Sequence, residues 1–87
     1  MNLRLTRDVT LTEVDTGAVL LDGRNGRYWQ LNASGAVVLR RLLAGDQLSD
    51  VVAALATDAA VDGVRVRGDV TALVRALETA ELVEVRS

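Results

Sequence analysis

The sequence predicts an α+β domain in which a small antiparallel sheet comes first and three helices follow. Between Val9 and Leu31, three short strand-like runs are separated by Gly-containing turn signals; from Asn32 onward, apolar residues recur at helical spacing. The chain has 87 residues, enough for one core, since a domain of this size buries only about 60 to 65% of its unfolded surface. One domain spanning 1–87 is therefore expected.

The first strand is read at Val9 to Asp15, with Val9, Leu11 and Glu13 on one face and Thr10, Thr12 and Val14 on the other. Asp15-Thr16-Gly17 turns the chain, and Ala18 to Leu21 is an apolar run of the kind expected to be covered on both faces. Asp22-Gly23-Arg24-Asn25-Gly26 is the strongest hairpin signal, because Asn and Gly tolerate positive φ. A third strand then runs from Gly26 to Leu31. Two successive hairpins make a meander with Ala18 to Leu21 in its centre, so the third strand keeps one open edge. Edges are usually blunted by Lys, Pro or inward charge, yet this strand carries only Arg27 and the chain has no Pro.

Asn32 is an N-cap for a helix over Ala33 to Ala44, with Val38, Leu39, Leu42 and Leu43 as its stripe, Leu31 and Ala36 at the staple positions, and Gly45 as the stop. Asp46 to Ser49 opens a second helix whose face is Leu48, Val51, Val52, Leu55 and Ala59, fraying at Asp58 to Gly63. Arg67-Gly68-Asp69 opens a third, about residues 68–80, with Val70, Leu73, Val74 and Leu77 as its stripe and Asp69 favourable to its dipole. Leu82 to Val85 is expected to lie extended beside the domain.

Composition excludes several kinds of chemistry. With no Cys and no His, disulfides, thiolate nucleophiles, imidazole bases and the usual zinc ligands are all missing. Asp46 with Asp50, and Glu78 with Glu81, read as solvated helix faces rather than paired catalytic acids, and Ser34 has no base to activate it. The Asp22 to Gly26 turn lacks the acid spacing of a calcium loop. Neither a cofactor nor a metal is expected. No apolar run reaches membrane-spanning length and Met1 to Leu5 has no signal-peptide h-region, so the expected compartment is the cytoplasm.

Three helices and a small sheet also describe a winged helix-turn-helix, so DNA binding has to be weighed. The net charge is −2, which gives no long-range attraction for a polyanion. The third helix exposes Asp69, Thr71, Arg75, Glu78 and Thr79, not the run of Arg, Lys, Asn and Gln that a reading helix needs. The aromatic pair is more informative. Trp29 shares a strand face with Leu31 and Tyr28 shares the other with Gln30, leaving core packing and groove lining both open.

The run Leu20-Leu21-Asp22-Gly23, then Gly26-Arg27-Tyr28-Trp29-Gln30-Leu31-Asn32-Ala33-Ser34-Gly35, Leu39 to Leu43, Gly45 and Leu77 to Val83 resembles the PqqD-like family, the recognition elements of ribosomally made, post-translationally modified peptides. Its most specific piece is the aromatic-x-Leu-Asn-x-Ser/Thr-Gly passage. The resemblance implies three antiparallel strands packed on three helices. It implies a non-catalytic function: binding the leader region of a precursor peptide as an added strand beside Gly26 to Leu31, with side chains reaching the third helix. The chain is most similar to the discrete members of lasso-peptide pathways, which work with a leader peptidase and a macrolactam-forming cyclase. It departs from the family at Glu81, where many relatives have Gly. The alternatives are a small winged-helix DNA-binding or regulatory domain, a peptide chaperone of pyrroloquinoline quinone biosynthesis, and a small enzyme or quinone-cofactor carrier.

On this reading the peptide-binding residues are Arg27, Tyr28, Trp29, Gln30, Leu31, Arg67, Val70, Leu73, Val74, Arg75 and Leu77, with Val19 and Leu21 as further candidate walls. Arg24, Arg27, Arg67 and Arg75 are expected to steer acidic leader residues to this side.

Overall fold

The computed structural model describes residues 2–56 and 63–86. The elements run β1 (Asn2–Leu5), β2 (Val9–Val14), β3 (Gly17–Asp22), β4 (Arg27–Asn32), α1 (Ala33–Leu43), α2 (Leu48–Ala56), α3 (Gly63–Thr79) and β5 (Val83–Arg86). The α+β class holds: β2, β3 and β4 form an antiparallel meander with β3 in the centre, followed by three helices.

The sequence reading missed one pairing. β1 and β5 make their own antiparallel ribbon, with Leu3 opposite Val85 and Leu5 opposite Val83. Arg4 and Glu84 are also opposite and bonded at 2.8 Å. Leu3, Leu82 and Val83 are buried, so this ribbon joins the core instead of trailing beside it. Its partners lie some eighty residues apart in sequence, a separation that no local pattern reveals.

The meander's inward face carries Val9, Leu11, Ala18, Leu20 and Leu31, against which α1 packs Ala36, Val38, Leu39 and Leu42. Val51 and Val52 of α2 and Val66, Val70, Val74 and Leu77 of α3 close the core. At the sheet's rim, inward Glu13 accepts from Arg40 of α1. β3 is not covered on both faces: Leu20 is fully buried, but Leu21 on the opposite face is 47% exposed. The three helices all lie on the inward side, so the apolar run at 18–21 serves one buried face only.

Asn32 ends β4 and caps α1, its extended backbone (φ −71, ψ 176) letting its Oδ1 accept from the Gly35 N–H at 2.8 Å. The staple residues Leu31 and Ala36 are both buried. Gly45, with φ 100, closes α1 by two bonds, Gly45 N–H to Leu42 O and Asp46 N–H to Arg41 O. At the end of α3, Glu81 does the same work at φ 63: its N–H donates to Glu78 O and that of Leu82 to Leu77 O. The departure from the family pattern at Glu81 therefore falls on a left-handed position that favours Gly.

The third helix begins at Gly63, not Arg67, which adds a turn and brings Val66 into the core. The expected frayed loop falls mostly on residues 58–62, and Ala59 among them, outside the described residues.

Candidate functional site

Among the described residues β4 has a single strand neighbour, β3. The direction of its main-chain groups follows from Gly17, which pairs with Asn32: a Cβ at Gly17 would sit 1.9 Å from the Leu31 carbonyl oxygen, so that carbonyl is aimed into β3. Polar main-chain groups of successive strand residues point to opposite edges. Arg27, Trp29 and Leu31 thus direct theirs to β3, while Tyr28 and Gln30 present theirs on the open edge. Among the described residues no strand covers that edge, because β5 is taken up by β1.

Beside the edge runs a groove floored by the core and walled by α3. Its larger part is an open cavity of about 610 Å³. β4 contributes Trp29, Gln30 and Leu31; the start of α1 contributes Ser34, Gly35 and Val38; α2 contributes Leu55. The α3 wall is Val66, Asp69, Val70 and Leu73. A smaller cavity of about 70 Å³ at the far end is lined by Asp22, Arg27, Tyr28, Trp29, Ala80 and Leu82. Leu31 thus faces the front of α3 and Arg27 faces its end, so strand and helix run in opposite directions. From Val66 to Ala80 the helix rises about 21 Å, and the six residues of β4 span about 20 Å. The helical wall accompanies the whole open edge.

The structure sorts the predicted residues. Trp29, Gln30, Leu31, Val70 and Leu73 line the larger cavity, and Arg27 and Tyr28 line the smaller one. Trp29, opposite Leu20, is 38% exposed toward the groove, whereas Tyr28, opposite Leu21, is 67% exposed. Val74 and Leu77 are as buried as Val70 but line neither groove cavity, so they belong to the core beneath it. Val19 and Leu21 share the sheet's outer face with Tyr28, away from α3, and do not wall the groove. Arg75 lies about 160° and Arg67 about 120° around the helix from Leu73, and neither lines a groove cavity. Arg24 sits instead by Thr6, Glu78, Glu81 and Glu84. Of the four arginines expected to steer acidic peptide residues, the groove keeps only Arg27.

Sequence reasoning missed Ser34, Gly35, Val38, Leu55, Val66 and Asp69. Gly35 carried a signal: a glycine early in a helix marks close approach, and a Cβ there would lie 3.2 Å from Asn32 Oδ1 and 3.7 Å from Leu73 Cδ2. Val66 was hidden by the late helix start, and Leu55 by having only its own helix to be judged against.

The turn that aims β4 is built on Asp22, which is 2% exposed. Its carboxylate accepts from Asn25 Nδ2 at 2.7 Å and from the backbone N–H groups of Arg24 and Asn25. The Asn25 side chain chiefly, then those backbone N–H groups and the Arg24 charge, hold it below the ordinary aspartate range despite its burial. Among the described residues no cluster of His, Cys, Asp and Glu suits a metal ion, and no helix is long and apolar enough to cross a membrane.

No curated protein matches the chain. Among solved structures it is similar to a lasso peptide synthetase B1 complexed with the leader peptide, at 35% identity and a TM-score of 0.91, covering 98% of this chain and 100% of that one. It is also similar to TbiB1 in complex with the TbiA(beta) leader peptide, at 29% identity and a TM-score of 0.84, covering 100% and 99%. The model of coenzyme PQQ synthesis protein D matches residues 17–83. That span takes in β3, the open-edged β4, all three helices and the groove between them, and the chain belongs to the PqqD family.

Proposed function

We propose that the chain binds the leader region of a ribosomally made precursor peptide as a strand added to the free edge of β4, with alternate side chains entering the groove against α3. It catalyses nothing itself and presents the precursor to a leader peptidase and a macrolactam-forming cyclase of a lasso-peptide pathway. The observation that carries this reading is the unpaired edge at Tyr28 and Gln30 lying alongside an apolar groove of matching length. The leader-peptide complexes of the two similar structures support it.

The energetics divide the work. Each main-chain bond of an added strand contributes about 0.5 to 1.5 kcal/mol net, and ordering each guest residue costs about 1 to 2 kcal/mol. The ladder nearly cancels and sets the register. Affinity then comes from two or three apolar side chains buried at about 1.5 to 3 kcal/mol each against Trp29, Leu31, Val66, Val70 and Leu73, about 3 to 9 kcal/mol together, which reaches micromolar binding when three anchors are fully buried.

Amide-shift mapping with a synthetic leader peptide tests the site. Shifts should concentrate on Arg27 to Asn32 and Val66 to Leu73; shifts confined to the β1–β5 ribbon contradict it. The pathway assignment is tested at the gene locus, where a short precursor reading frame should neighbour a transglutaminase-like peptidase and an asparagine-synthetase-like cyclase.

A further inference from the structure

Resting on the peptide-binding reading above, we propose that the groove selects its guest through an opposed pair of charges. Asp69 at the Leu31 end takes a basic guest residue, Arg27 at the Ala80 end takes an acidic one, and the order of charges along the guest decides which way it lies.

Among the described residues Asp69 is the one charged residue lining the larger cavity, and it stands one turn before Leu73 on the same helical ridge. Because α3 begins at Gly63, Asp69 lies nearly two turns inside the helix and no longer serves its N-terminus. The smaller cavity holds Arg27 and Asp22. Asp22 is buried and engaged by the turn, so the charge left for a guest there is that of Arg27. Both Asp69 and Arg27 are exposed, and neither joins the ion pairs found among the described residues, Arg4–Glu84, Arg40–Glu13 and Arg41–Asp46. Arg65, one turn before Asp69, lines neither groove cavity.

The spacing is set by the strand. Arg27, Trp29 and Leu31 share the inward face, and the ends of that row are about 13 Å apart. Guest side chains that enter the groove also alternate. A complementary guest therefore carries its base and acid about four residues apart, with an apolar side chain between them opposite Trp29. A Lys or Arg suits the Asp69 end because its aliphatic stem can lie on Val70 and Leu73 while its head reaches the carboxylate. The reversed guest would set like charges against each other at both ends. Such pairs act more on specificity than on affinity.

A display library of random peptides about 15 residues long is selected on the wild-type protein, and a recovered peptide is synthesised together with a twin in which its acidic and basic residues are exchanged. The wild type is expected to enrich a base and an acid at even spacing around an apolar residue, and to prefer the recovered peptide to its twin by about fivefold to tenfold. The double variant Arg27→Glu/Asp69→Lys should prefer the twin. Arg27→Ala and Asp69→Ala, which introduce no new charge, should each lose about half of the preference on a logarithmic scale. Peptides that bind and shift the β4 and α3 amides without charge enrichment, or with a preference the double variant leaves unreversed, overturn this inference alone. A library that yields no peptide shifting those amides overturns the binding reading as well.

Discussion

Proline placed at successive positions of β4 should separate folding from binding. The Leu31 carbonyl points into β3, so the Trp29 N–H does too, and Gln30 donates outward. Trp29→Pro removes a ladder bond opposite fully buried Leu20 and should cost about 3 kcal/mol or more, a large fraction of the stability of a domain this small. Gln30→Pro removes no internal bond, and an edge strand tolerates proline with its N–H side facing solvent, so stability should fall by no more than about 1 kcal/mol. The same change deletes one guest hydrogen bond worth about 0.5 to 1.5 kcal/mol and sets a ring against the incoming strand, weakening a leader peptide by about tenfold or more. Urea denaturation gives the first quantity and calorimetric titration the second. Equal destabilisation by both prolines would refute the alternation drawn from Gly17, and undiminished peptide binding by Gln30→Pro would refute strand addition.

Other perturbations probe the remaining parts. Glu81→Gly should raise stability by about 0.5 to 1 kcal/mol, since the left-handed cost of about 1 to 2 kcal/mol at φ 63 is relieved and the greater freedom of the unfolded glycine returns some of it; the thermal midpoint should rise by several degrees, and an unchanged or lower midpoint contradicts this. Gly17→Ala should destabilise by about 3 kcal/mol or prevent folding, because its Cβ would meet the Leu31 carbonyl and the sheet would have to open. Leu73→Ala should weaken leader binding by about threefold to tenfold through lost apolar contact, with far less effect on the urea midpoint than Leu77→Ala, whose side chain is fully buried. Asp22 is depressed in the folded state, so its stabilising contribution is complete above the unfolded aspartate value and fades as pH falls below it. Between neutral pH and pH 3 the wild type should therefore lose more stability than Asp22→Asn, and parallel losses would remove Asp22 as the cause.

Much of the candidate site was legible because its signals are local. Asn32 announces a cap by its side chain, Gly26 and Gly45 mark turns by their freedom at positive φ, and the alternation across Tyr28 to Leu31 assigns two faces whatever packs on them. What eluded sequence reasoning depends on parts of the chain that meet only in three dimensions. Helical periodicity assigned Val70, Leu73, Val74 and Leu77 to one stripe, but a stripe has a middle and a margin. Only the position of β4 decides that Val74 and Leu77 are core while Leu73 and Asp69 border the groove. Arg67 and Arg75 looked available for a peptide because they are near the right residues in sequence; the phase of α3 against the sheet turns them away.

The residues by themselves determined an α+β domain, a central β3 and a third strand of the meander without gatekeepers on its outer side, since turn chemistry and period are properties of neighbours along the chain. Whether that outer side stays free was a tertiary decision. The same backbone groups would have been satisfied had β5 added to β4, and it is the burial of Leu3, Leu82 and Val83 in the ribbon with β1 that holds β5 elsewhere and leaves the edge at Tyr28 and Gln30 without a strand partner among the described residues.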